Sequence, residues 1–348
     1  DKLQFPQSFF FTPAWGKEID LVHWRSRASE SKSAREITEQ RIRWLCEIFG
    51  FLQSEVDFPK LNLPELDISK DFNLITNSQI EQAATDLRSY WKLRTEPIPD
   101  MILALENAGV PVAALNIPSD KQDGLCFTSK LLQRPFVIIN VEGVSCSRAR
   151  FDAAHELGHL VLHRNVTPDQ AKMPAAHKLI EQQAHRFAGA MLFPRDSFIA
   201  EVGSVSLDYF CALKRRWGIS ISAMIMRAYD LGLTDEDGKA QLFRSMTVRR
   251  WRGPLREPYD SPSDMPLERP RMLRRGFEVT LASGGFARST IRSAIPLPSQ
   301  ELEQLSSLEE GTFADGNLDS MALTKLKPAA EMLDLESGNV LLFRRRFR

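Results

Sequence analysis

The stretch His155-Glu156-Leu157-Gly158-His159 holds the residue types best suited to chemistry in this chain. Side chains four apart on a helix share a face, so His155 and His159 can offer two imidazoles to one ion. Neutral imidazole suits zinc, which in catalytic sites takes three protein donors and keeps one position for water. Glu156 follows the first histidine directly and can reach such a water as a general base. The H-E-x-x-H pattern therefore carries a mechanism: metal-assisted hydrolysis, with the carboxylate taking a proton as water attacks a carbonyl. Three fixed residues in five also arise by chance, and helical histidines often serve as ordinary packed or surface groups. Two features weigh toward zinc. The motif falls on an amphipathic pattern directly after a pair of strand-like runs, and five of the six histidines lie between 155 and 185.

Zinc needs a third donor. Downstream, Glu181 and His185 are one helical turn apart in Ile180-Glu181-Gln182-Gln183-Ala184-His185. A carboxylate donor followed by a polar group that orients a ligand histidine is a common arrangement in zinc hydrolases. Glu181 is the expected third ligand. His185 is the expected orienting or substrate-facing group, with the reverse assignment open. His163 continues the face of His159 and is expected to contact the site without binding metal. His185, Tyr90 and Tyr229 are candidates to stabilise the oxyanion.

These residues need elements to hold them. Apolar spacing predicts a helix over 33–54. Ser78 with Glu81 suggests a capping box for a helix to Leu93, and Pro99 opens another ending near Gly109. The period then changes, and Val110–Ile117, Gly124–Ser129 and Pro135–Val141 read as three short strands. Ser145 or Ser147 caps the motif helix, which runs to about Arg164. Residues 165–176, with two prolines, read as a loop. A helix over His177–Phe193 stops at Pro194. Three more follow, over Ser206–Trp217, Ser220–Leu231 and Asp235–Arg250. Residues 271–310 are helical again, with Ser299 as an N-cap, and Val340–Phe343 is a strand candidate.

The expected fold is α+β, mainly helical with a small three-stranded sheet and a helical C-terminal appendage. The expected organisation is an N-terminal region at 1–77, the site-bearing domain at 78–252, a linker at 253–270 and a C-terminal region at 271–348. The linker reading rests on five prolines and several charges. Lys+Arg and Asp+Glu both total 45, so no global field draws the chain to nucleic acid or membrane. The four cysteines form no CxxC pair, which argues against a disulfide scaffold or a thiolate zinc site. A reducing cytoplasmic location is expected. No apolar run approaches the roughly 20 residues that span a bilayer.

Two motifs together resemble a known family. His-Glu-Leu-Gly-His-Leu-Val-Leu-His at 155–163, followed by Ile-Glu-x-x-Ala-x-Arg-Phe-Ala-x-x-Met-Leu-Phe-Pro at 180–194, resembles the ImmA/IrrE family of bacterial zinc metallopeptidases. Pro-Phe-Val-Ile-Ile-Asn at 135–140 fits the strand before the active helix, and 213–228 fits the helical segment that follows. The resemblance covers about 78–250. It implies a zincin-like domain binding Zn2+ through His155, His159 and Glu181, with Glu156 as catalytic base. It departs at 185, where Asp or Asn is usual and this chain has histidine. The implied partner is an Xre-type helix-turn-helix repressor or an antitoxin, cleaved in control of transcription, mobile elements or defence. Many members carry an Xre head upstream, and 3–11 resembles the tail of one, so DNA contact through a missing head is a further expectation. The alternative is a DNA-associated regulator that uses the zinc fold for sensing or protein binding with little catalysis.

Overall fold

The computed structural model describes residues 5–11, 32–117, 124–282 and 285–314. The chain is mainly helical, with one three-stranded mixed sheet among the described residues. The first helix, α1 (Lys32–Glu55), precedes α2 (Asn77–Tyr90) and α3 (Met101–Asn107). The strands follow as β1 (Val112–Leu115), β2 (Gly124–Ser129) and β3 (Arg134–Asn140). Their spatial order is β1-β3-β2, with β1 parallel and β2 antiparallel to β3. After the sheet come α4 (Cys146–Leu162), α5 (Pro168–Lys172), α6 (Pro174–Leu192), α7 (Arg195–Glu201), α8 (Leu207–Trp217), α9 (Ile221–Asp230) and α10 (Glu236–Val248). Three C-terminal helices close the described chain: α11 (Met272–Leu281), α12 (Arg288–Ala294) and α13 (Ser299–Leu305). No described helix is long and apolar enough to cross a membrane.

The sheet is a wall between two cores. Successive strand residues point to opposite faces. Val112, Cys126, Val137 and Ile139 join a core with Leu87, Leu105, Leu157, Phe187 and Phe193. Ala113, Leu125, Phe127, Phe136 and Ile138 join another with Phe49 of α1, Phe277 of α11 and Leu302 of α13. The second core is strongly aromatic: Phe127 and Phe136 stack at 5.0 Å, and Phe49 meets Phe136 edge-on at 5.3 Å. The N-terminal helix and the C-terminal helices thus share one layer behind the sheet.

The segment between α10 and α11 is fastened at several points. Glu257 accepts hydrogen bonds from the Ile221 and Ser222 backbone N–H groups at the start of α9, and from Lys214 Nζ. Asp260 accepts from the same ammonium at 2.6 Å, and the Lys214 side chain is fully buried. Glu268 accepts from the backbone N–H groups of Met101 and Ile102 at the start of α3 and pairs with Arg150 of α4.

Several local expectations change. The capping box of α2 lies at Thr76 and Gln79 rather than Ser78 and Glu81. Glu81 faces the other way, toward Arg186 and Arg227. The loop expected at 165–176 contains the one-turn helix α5, and α6 begins at Pro174 instead of His177. Both prolines occupy the first helical position, where their missing N–H costs nothing. Pro194 ends α6 but also caps α7, which periodicity had not suggested. Ser299 is the first residue of α13, not its cap, and its hydroxyl donates to the Phe313 carbonyl. The strand candidate 340–343 lies outside the described residues.

Candidate metal centre

Helix α4 begins at Ser145, whose hydroxyl accepts from the Arg148 N–H. It runs buried between the sheet and α6, so its histidines are held out of bulk water. Gly158 sets how closely α6 approaches. A Cβ there would lie 3.1 Å from Phe187 Cδ1 and 3.3 Å from the Ala184 Cα, tighter than the helix pair could accept without shifting. This close packing brings Glu181 of α6 to the α4 histidines.

Three donor side chains converge. His155 Nε2 and His159 Nε2 are 3.0 Å apart. Glu181 places Oε2 3.6 Å from His155 Nε2 and Oε1 3.5 Å from His159 Nε2. Zinc bonds of about 2.0–2.2 Å to nitrogen and oxygen imply roughly 3.3–3.6 Å between donors of a tetrahedral site. Both histidine–carboxylate contacts fall in that range and the His–His contact is shorter, so two imidazoles and a carboxylate fit the metal in chemistry and proximity.

The protonation pattern of His159 follows from its neighbours. Gln183 Nε2 donates to the carbonyls of Phe72 and Ile75, which turns Gln183 Oε1 toward His163. His163 Nε2 must then carry the proton it gives to that oxygen at 2.9 Å. His163 Nδ1 is left as an acceptor, and His159 Nδ1 donates to it at 3.0 Å. The chain of bonds leaves the His159 Nε2 lone pair facing His155 and Glu181. Outer groups that receive the second N–H of a ligand histidine fix its tautomer and orientation in this way. His163 and Gln183 are 1% and 3% exposed, so this polar chain is part of the interior.

Glu156 is 2% exposed and lies on the sheet side of α4. A Cβ at Gly124, the first residue of β2, would come within 3.3 Å of Glu156 Oε1. The carboxylate therefore sits at the head of the outer strand, on the same helix as the two histidines. His185 is one turn beyond Glu181. Its Nδ1 lies 2.7 Å from the Glu181 carbonyl, and its ring meets that of His155 at 4.4 Å.

A cleft of about 940 Å³ opens beside the cluster and is lined by Glu181, His185, Phe151, Met226, Tyr229 and Phe243, among others. Tyr229 is thus near the site, with Lys239 over its ring, while Tyr90 is exposed and does not line the cleft. One wall is an ion-pair network. Glu81 receives two bonds from Arg227, at 2.6 and 2.7 Å, and pairs with Arg186, which also pairs with Asp230. Burial pushes the Asp230 carboxyl above its ordinary range, opposed by the nearby Arg186 and Arg227 guanidinium groups. A smaller cleft of about 520 Å³ lies near β1 and α13. Its carboxylates Glu268 and Glu303 are engaged by backbone N–H groups.

The sequence had singled out His155, Glu156, His159, Glu181, His163 and His185; the fold brings the four histidines and Glu181 together and buries Glu156 on the same helix against Gly124. It had passed over Gln183 and Gly158. Gln183 was visible in principle as a polar residue on the apolar stripe Ile180, Ala184, Phe187. Gly158 gave no such signal, because its role depends on which helix lies opposite.

Fold and site together define a metallopeptidase-like domain. Residues 105–229, from α3 to α9, match the IrrE N-terminal-like domain, Peptidase_M78, which supports an ImmA/IrrE-family peptidase domain over that stretch. Among solved structures, a Mycobacterium tuberculosis transcriptional regulator is similar at 19% identity and a TM-score of 0.34, covering 46% of this chain and 50% of that protein. This chain therefore spans about half the length of that protein. No curated protein matches the chain.

Proposed function

We propose that this chain is a zinc-dependent endopeptidase that hydrolyses a peptide bond in a protein substrate. The observation that carries the reading is the convergence of His155 Nε2, His159 Nε2 and a Glu181 carboxylate at 3.0–3.6 Å, with Glu156 adjacent to His155 in sequence and buried on the same helix. Zinc held by these three residues would supply Lewis acidity toward water and a peptide carbonyl. Glu156 takes the proton from the attacking water and returns it to the leaving amine. Its buried position against Gly124 holds the carboxylate in one place. The His163–Gln183 chain keeps His159 in the tautomer that leaves Nε2 free to bind.

Strand β2 pairs only with β3 among the described strands, so its other side is an edge. An extended peptide pairing with that edge would pass directly over Glu156. The substrate class we favour is a helix-turn-helix repressor or antitoxin, so that cleavage changes transcription in a defence or mobile-element response. The reading of a sensor with little catalysis is the competing outcome of one experiment. Glu156→Gln is prepared with zinc content measured, and cleavage of a helix-turn-helix repressor is followed for wild type and variant. A general base contributes roughly 10²–10⁴-fold, so cleavage should fall by that factor with the metal retained. Unchanged cleavage or unchanged transcriptional output would remove the peptidase reading.

A further inference from the structure

The three-donor cluster accounts for His155, His159 and Glu181 but leaves the placement of His185 without a task. We propose that His185 supplies a fourth protein donor, so that the resting centre is closed by three imidazoles and one carboxylate. The inference rests on the zinc reading above.

The first support is the state of the His185 ring. A carbonyl oxygen can only accept, so the 2.7 Å contact to the Glu181 carbonyl puts the proton on Nδ1. Nε2 then carries a lone pair. Ligating histidines characteristically give their other N–H to an outer acceptor, as His159 does to the His163 ring. The second support is position. The rings of His155 and His159 meet edge-on at 4.6 Å and 82°. The rings of His155 and His185 meet at 4.4 Å and 72°. His155 thus has two imidazole neighbours in nearly the same relation, one of which is already a donor. The third support is range: His155, Glu181 and His185 offer donor atoms that all lie within 4.8 Å of one another. Glu181 and His185 share one face of α6, so a single helix can deliver both.

His185 also stands where a fourth donor would have to come from. It is exposed, it lines the cleft, and its ring lies 5.9 Å from that of Phe151. Structural zinc sites are closed by four protein donors, whereas catalytic ones keep a position open for water. His185 would therefore hold the centre shut until it turns aside, and a peptide entering the cleft meets it first. The device is a brake located on the substrate path.

The test counts imidazoles rather than turnover. Zinc-loaded wild type, His185→Asn and His185→Phe are compared by X-ray absorption at the zinc edge, with affinity measured by chelator competition. The phenylalanine variant keeps an aromatic ring beside Phe151 but removes the donor, and either substitution falls at an exposed position that leaves the core intact. Three imidazoles are expected in wild type and two in both variants, with zinc affinity lower by at least roughly tenfold. Two imidazoles in wild type, or an unchanged count in the variants, would overturn the proposal while leaving the three-donor site standing. A wild type that binds no more zinc than His155→Ala would overturn the metal reading itself.

Discussion

Behind the sheet, Phe127 and Phe136 stack on each other in a core of aromatic and aliphatic side chains shared with α1 and the C-terminal helices. In front of it, α4 and α6 bury His155, Glu156, His159, His163 and Gln183 among Leu157, Ala184 and Phe187. Both layers are equally well sealed from solvent, so burial alone does not distinguish them. The difference is that polar groups cost free energy to desolvate unless partnered, typically 1–3 kcal/mol each. The back layer meets that cost by pairing its buried polar groups with backbone, Arg134 with the Pro59 and Gly109 carbonyls and Glu303 with the Gly311 and Phe313 N–H groups. The front layer accepts it, and arranges bonds that leave lone pairs converging on one point. Such an arrangement is explained by a ligand and not by packing, and the two layers should therefore respond to substitution in opposite ways.

The largest separation is expected at Glu181. Replacing it with alanine removes the only carboxylate among the converging donors, and zinc binding should be lost, well beyond the roughly 100-fold typical of outer groups. The fold should survive, because the Glu181 side chain borders the cleft and is partly accessible. Equilibrium dialysis with zinc, read beside the thermal transition, checks both halves. Phe136→Ala is the mirror experiment. Truncating a fully buried phenylalanine costs about 3–5 kcal/mol, so the denaturant midpoint should fall steeply. Zinc affinity of the molecules that remain folded should not change. A Phe136 variant that bound zinc tenfold more weakly would mean that the sheet couples the two layers, and the comparison would fail.

The same contrast governs what could be read from the sequence. The front layer was largely legible, because H-E-x-x-H and the Glu181/His185 pair encode chemistry in local spacing that survives folding as helix faces. Strand periodicity also located β2 at its observed limits, since Gly124 and Ser129 bound a clear apolar run. The joining of α1 to α11 and α13 was not legible. Phe49 and Phe277 announce that each helix has an apolar side, but nothing local says that partners some 200 residues apart meet across the same sheet face. The segment at 253–270 shows a related limit. Its prolines exclude regular structure, yet its anchoring depends on Glu257, Asp260 and Glu268 finding Lys214, two helix N-termini and Arg150. Carboxylates in a polar segment carry no mark of which distant N–H they will reach.

A smaller effect should sharpen the picture of the front layer. His163→Phe keeps the volume of the buried ring but gives His159 Nδ1 no acceptor, and Gln183→Leu removes the group that turns His163. Each should weaken zinc binding by roughly 10–100-fold. Because both act through one chain of bonds, the double variant should lose little more than either single one. Strictly additive losses, measured by the same chelator competition, would mean that His163 and Gln183 act separately and that the tautomer of His159 is set elsewhere.

The smallest effect lies where the two layers are joined. Glu106 of α3 is buried, and its carboxylate accepts from the backbone N–H groups of Arg271 and Met272 at the start of α11. Burial raises its pKa to about 7, with Asp100 adding to the rise and the two N–H bonds and the Arg271 charge opposing it. A carboxylate raised in this way binds a proton in the folded state that the unfolded chain has already released. Folding is then favoured below the ordinary carboxylate range, and stability declines as pH rises toward 7, by at most about 1.4 kcal/mol per pH unit from this group. Burial also lifts Glu47 of α1 to about 6, so wild type should lose stability across the same interval from more than one group. Glu106→Gln keeps an acceptor for α11 but cannot ionise, and its denaturation midpoint should depend less on pH between 5 and 7 than that of wild type. Parallel pH profiles for the two proteins would show that the N–H bonds from α11 outweigh burial. The joint between the layers would then be fastened by a charged carboxylate at every pH in that range.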